Sequence, residues 1–190
     1  MRSATGWGAA CLVGCALLNA ACGSSSRGAG APNPSGIGLA AIPAAEVFVP
    51  YAPKHGAFSL RYPKGWQRQD VQGATTFSDG YNEISVATTT QRTAPTTASV
   101  RSNYLVALRP LLGFKLVTVD TVSRPAGPAV RIKYQTTSVP DRVTGQRVPL
   151  DVERYLFWRH GRLLVITLST PHGIDNSHAW QTVTDSLAWQ

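Results

Sequence analysis

The chain has 190 residues, 43% apolar and 15% charged, which suits one globular core with tails and excludes both a disordered and a multi-span membrane protein. Its 18 basic and 10 acidic residues give a net charge of +8, which admits anionic partners, yet no run of five like charges marks a nucleic-acid-binding tail. Its three cysteines, Cys11, Cys15 and Cys22, all lie at the start, so from residue 23 onward no disulfide can staple the fold.

Arg2 precedes an apolar stretch from about Trp7 to Leu18, and the small residues Asn19, Ala20 and Ala21 follow. A charged start, a short apolar run and a small-residue cleavage site describe an export signal over residues 1–21. About twelve apolar residues are too few for a permanent membrane helix. The segment resembles a bacterial lipoprotein signal, whose last cysteine is acylated, typically with palmitate, and becomes the mature first residue. Cys22 is favoured because cleavage there leaves a full-length apolar run and a polar "GSSSRG" start. Cys15, which closes "LVGC", is the alternative. Residues 22–48 are rich in Gly, Ser, Ala and Pro without apolar periodicity, and predict a flexible tether. A single domain is expected over 49–190.

In that domain "FSLRYP" alternates Phe58, Leu60 and Tyr62 against Ser59 and Arg61 and predicts a half-buried strand, with "PKGW" as a turn. "ATTFS" and "NEISVATT" predict a hairpin around Asp79 and Gly80. A helix is expected over 96–113, capped by Thr96 or Thr97, with Val100, Tyr104, Leu108 and Leu111 on one stripe, Pro110 kinking or ending its last turn and Gly113 closing it. "FKLVTVDTV" and "AVRIKYQTT" predict two strands, followed by the long turn "SVPDRVTGQRVP". "LDVERYLFWR" and "RLLVITLST" are joined by a tight His160-Gly161 turn, and the doubly apolar "LLVITL" predicts a central strand covered on both faces. "DNSHAWQTVTDSLAW" predicts a final helix capped by Asp175 or Asn176, with Trp180, Val183 and Leu187 on its inner face. The order of elements predicts an α+β domain on an antiparallel sheet.

"AFSLRYPKGWQ", "RYLFWRHGRLLVITLSTP" and "DNSHAWQTVTDSLAW" together resemble the PsbP-like family over residues 56–190. That family includes exported lipoproteins of actinobacteria and extrinsic proteins of photosystem II. The resemblance implies an αβα sandwich, with helices on both faces of a mostly antiparallel sheet, and an accessory or binding role at a membrane surface. It carries no catalytic signature, and the metal associations of photosynthetic members find no matching ligand residues.

Hydrolase, phosphate-loop and paired-cysteine motifs are missing from the sequence, so no cofactor, metal or catalytic residue is assigned. His172 and His178 are six apart, not at the four-residue spacing of two ligands on one helical face, and His55 and His160 read as surface residues. Ser169, His172 and Asp175 spell a triad only on paper and read more simply as a cap and its neighbours. Asp151 and Glu153, two apart on one strand face, are expected to oppose basic side chains rather than form a catalytic pair. Trp66, Trp158, Trp180 and Trp189 read as packing residues, and Trp158 is the choice among them for ligand stacking. Candidate binding residues are Trp158, Arg159, His160 and Arg162 at one turn and Arg142 and Arg147 at another, at opposite ends of the sheet if successive strands pair. The sequence therefore predicts a lipid-anchored, extracytoplasmic, non-enzymatic module outside the cytoplasmic membrane. Its partners would be that membrane, a membrane protein, anionic lipid or a wall polymer, and not nucleic acid. An exported hydrolase, with a pocket joining His172 to an acid and a nucleophile, is the alternative.

Overall fold

Alternating apolar residues along the chain close into two antiparallel sheets in the computed structural model, which describes residues 41–190 except His55, Gln72 and Tyr81. The expected export signal, Cys15, Cys22 and the tether up to residue 40 lie outside the described residues. Strands β1 (Phe48–Tyr51) and β2 (Phe58–Pro63) precede β3 (Gln67–Val71), β4 (Ala74–Ser78) and β5 (Glu83–Thr90). A helical segment follows, made of α1 (Thr97–Ser99), a π-helical turn (Val100–Tyr104) and α2 (Leu105–Leu108). Then come β6 (Lys115–Arg124), β7 (Gly127–Thr137), β8 (Pro149–Arg159), β9 (Arg162–Pro171), α3 (Ser177–Asp185) and β10 (Ala188–Trp189). The large sheet runs β3-β4-β5-β9-β8-β7-β6 and the small one β1-β2-β10, with every neighbouring pair antiparallel.

β9 is the middle strand of seven, as its doubly apolar sequence predicts. Leu164, Ile166 and Leu168 face one side with Phe77, Ile84 and Val86, and there Trp180 and Val183 of α3 and Phe58 and Leu60 of β2 cover them. Leu163 faces the other side with Val130, Ile132, Val152 and Leu156, under Val100, Leu105 and Leu108 of the helical segment. Each such side chain contributes about 1.5–3 kcal/mol when fully buried, so a strand apolar on both faces gains only in the centre of the sheet. The α+β class with helices on both faces is therefore observed.

Two local expectations are corrected, and two details are added. The helical segment is capped reciprocally by Thr96 and Ser99, as a Thr cap predicts, but Leu105 donates its N–H to Val100 O across a π turn. The extra residue in that turn brings Leu105 into the core, and Leu111, beyond Pro110, ends 40% exposed. The last helix stops at Asp185, so Leu187 reaches the core from outside the helix and Ala188 and Trp189 pair with Ser59 and Phe58. Strand β3 was not foreseen, because all five of its residues are exposed at a sheet edge and leave no apolar alternation to read. Asn176 stands at the N-cap of α3 without capping it, and Asp175 Oδ1 accepts the Ser177 N–H instead. Ahead of β1, the N–H of Ile42 donates to Asn176 Oδ1 at 2.7 Å, and Ile42 and Phe48 pack against the first core cluster.

Candidate functional site

The predicted binding residues separate into the two groups that the strand pairing dictates. At the β8–β9 hairpin, His160 (φ 47°) and Gly161 (φ 77°) both take the left-handed conformation that a two-residue turn requires. Arg159, His160 and Arg162 line a cavity of about 250 Å³ with Ala57, Trp189 and Gln190. Trp158 does not join them. Alternation along β8 turns its ring to the second core cluster, and its Nε1–H donates to Gln91 O at 2.8 Å.

Arg142 and Arg147 lie in the loop of residues 138–148, at the far end of β8. Eleven strand residues separate the two ends by roughly 34 Å. Arg147 donates to Ser138 O at 2.9 Å. Arg142 borders a cavity of about 530 Å³ with Leu111, Tyr134, Val139, Glu83 and Arg154, where burial pushes the Glu83 carboxyl up. Asp141 Oδ1 accepts the N–H groups of Val143 and Thr144 and the Thr144 hydroxyl, which hold its carboxyl below the usual range and shape the loop tip.

Sequence reasoning missed a third location. A groove of about 390 Å³ runs between β7, β8 and the start of α3, lined by Lys133, Gln135, Asp151, Glu153, His172 and Trp180 among others. Asp151 Oδ2 lies 2.8 Å from His172 Nδ1 and accepts the Gly173 N–H, while Oδ1 accepts Gln135 Nε2–H at 3.1 Å. Burial raises the Asp151 carboxyl, but the bonds from Gln135, His172 and Gly173 outweigh it and hold the group below the usual range. Glu153 pairs with Lys133 at 2.7 Å and with Arg131 at 4.0 Å, and accepts the Tyr155 hydroxyl at 2.6 Å. The two carboxylates thus face histidine and basic partners. The signal that would have found this groove is the register Gln135↔Asp151 and Lys133↔Glu153, hidden by the long β7–β8 loop.

Ser169, His172 and Asp175 do not assemble as a triad. Ser169 opens on the cavity of the opposite sheet face, His172 is held by Asp151, and Asp175 is bonded to Ser177. Deeper at this end, Asn176 Nδ2–H donates to Asn82 Oδ1 and Thr170 Oγ1, a buried polar cluster that fixes the start of α3. Among the described residues no three His, Cys, Asp or Glu side chains converge as metal ligands. No helix there is long and apolar enough to cross a membrane.

No family model matches the chain, and no curated protein matches it in sequence. In structure it is similar to cyanobacterial PsbP (CyanoP) from Synechocystis sp. PCC 6803, at 16% identity and a TM-score of 0.56, over 80% of this chain and 99% of that one. The chain has the PsbP-like fold. Looser likenesses are LpqN of Mycobacterium tuberculosis, involved in cell envelope biogenesis (10% identity, TM-score 0.44, 75% of this chain and 86% of that), and a structure from Bacteroides thetaiotaomicron VPI-5482 (13%, 0.45, 70% of this chain). The chain spans 45% of the length of the latter.

Proposed function

We propose that the chain is an exported lipoprotein of the actinobacterial branch of the PsbP-like proteins. Acyl chains on Cys22, or on Cys15 if cleavage falls earlier, hold it at the outer face of the cytoplasmic membrane. The domain acts there as a non-enzymatic accessory module that binds a membrane complex, a lipid or a wall component. One observation carries this reading: the polar groups of the groove are committed to one another. Asp151 is closed by Gln135, His172 and Gly173, and Glu153 by Lys133 and Tyr155, so these groups form a rigid recognition surface. The sequence of the first 22 residues supports the address, and two or more acyl chains give stable anchoring where one is marginal. On this reading Arg159, His160 and Arg162 form a second, outward contact surface, with Trp158 bracing the hairpin from behind.

Mass analysis of the mature N-terminus and co-purification from cross-linked native membranes test this. The expected result is a chain that begins at an acylated Cys22, sits in the membrane fraction and retains a partner that a charge reversal at Lys133 and Glu153 releases. An unmodified chain in the cytosol would overturn it.

One observation favours an exported hydrolase as the second reading. His172 is oriented by a carboxylate at 2.8 Å within a groove, which is the acid–base half of a catalytic site. Turnover of an ester or phosphate substrate by the wild type, abolished in His172→Ala, would establish it and remove the binding reading.

A further inference from the structure

The loop end of the large sheet gathers basic and exposed apolar side chains from two distant segments. Residues 109–115 read "RPLLGFK" and residues 138–148 read "SVPDRVTGQRV". Leu112 O accepts both the Thr137 N–H at 2.9 Å and the Thr136 hydroxyl at 3.0 Å, which pins the first loop beside the root of the second. Leu111, Val139 and Arg142 line one cavity. Four of the eight exposed large apolar residues described are here: Leu111 (40%), Leu112 (58%), Val139 (82%) and Val143 (93%). Arg109, Lys115, Arg142 and Arg147 flank them, all exposed. The acid of the tip, Asp141, is bound to the loop's own N–H groups, and Glu83 lies in the cavity beneath.

We infer that this end is a docking surface for an anionic lipid bilayer. Leucine and valine tips ringed by Arg and Lys suit the boundary between acyl chains and headgroups, where apolar groups sink in and cations meet lipid phosphates. The point where the chain enters the domain argues for the bilayer over other occupants. Ile42 is held by Asn176, and Asn176 bonds Thr170 next to the last β8–β9 pair, Leu150↔Pro171, so the N-terminal chain joins the domain at this same end. Ile42 follows Cys22 by twenty positions, a contour of at most about 70 Å. The hairpin carrying Arg159, His160 and Arg162 then faces away from the membrane.

This inference rests on the membrane-held reading above, and a separate measurement tests each. The purified full chain is placed on vesicles of phosphatidylcholine alone or mixed with phosphatidylglycerol, reconstituted if its N-terminus is acylated and mixed if it is not. The N-terminal mass scores the anchor, and amide hydrogen exchange scores the docking. With phosphatidylglycerol present, peptides covering 109–115 and 138–148 exchange about tenfold more slowly, in line with a cation worth about a factor of five at an anionic surface. Peptides covering 158–163 do not change. Arg142→Glu with Arg147→Glu abolishes the slowing while β8 and β9 peptides keep wild-type exchange. Val143→Ser, at a side chain 93% exposed, reduces it severalfold. The inference is overturned if the tip peptides are unmoved by anionic vesicles, if the hairpin peptides slow instead, or if slowing appears only when membrane proteins are added.

Discussion

The two ends of the seven-stranded sheet reverse the chain in different ways. At the hairpin end, β8 passes to β9 through His160 and Gly161 alone, and the C-terminal Trp189 and Gln190 close over the same corner. At the loop end, β7 reaches β8 through residues 138–148, in which valines and arginines stand in solvent, and the buried cluster of Asn82, Thr170 and Asn176 lies at the same end of the sheet. A two-residue turn is constrained residue by residue by backbone conformation. A long loop needs only a few hydrogen bonds for its shape, so its remaining side chains are available for a partner.

The sharpest test of this contrast is Asn176→Ala. It removes the acceptor of the Ile42 N–H and the donor shared by Asn82 and Thr170, and is expected to destabilise by about 2–3 kcal/mol in urea unfolding. A loss near zero would mean the cluster does not organise the loop end. At the other end, Gly161→Ala forces a side chain into φ 77° and is expected to cost about 1–2 kcal/mol by the same measurement. Wild-type stability after that change would show the turn to be unconstrained.

Asp151→Asn carries a smaller, pH-dependent effect. Because the folded-state carboxyl lies below its usual range, its stabilisation is present above about pH 4 and is lost as pH falls through the folded value. The side chain is 38% exposed, and solvent screening limits the gain to about 0.5–1 kcal/mol. Unfolding curves of wild type and variant should therefore separate above pH 4 and converge below it, and a gap that widens in acid would refute the assignment. The smallest effect is expected at Arg142→Ala, an exposed loop residue whose removal should shift stability by less than about 0.5 kcal/mol. A larger loss would make Arg142 a structural residue rather than a free cation.

The core was largely legible because burial writes a period into the chain. Ile132 and Tyr134 against Arg131 and Lys133 declare a strand with one wet face, and "LLVITL" declares the central position. The His160-Gly161 turn was legible for the same local reason. β3 was not, since pairing through backbone groups at an exposed edge leaves no trace in hydropathy. The exit of Leu111 from the helical stripe was not legible either, because a π turn shifts the phase of every later residue. Of the candidate site residues, alternation alone separates Trp158 from Arg159, but the meeting of Asp151 with His172, 21 positions apart, depends on how β8, β9 and the following turn are set against one another.

Alternation and turn residues were thus enough to predict the class of fold. They state which face of a strand is wet, and that is a local property. The groove of Asp151, Gln135 and His172 and the tip built from 109–115 and 138–148 required the folded chain, because both depend on strand register and on hydrogen bonds between segments far apart in sequence. A period of two says where a side chain points but not which residue lies opposite it.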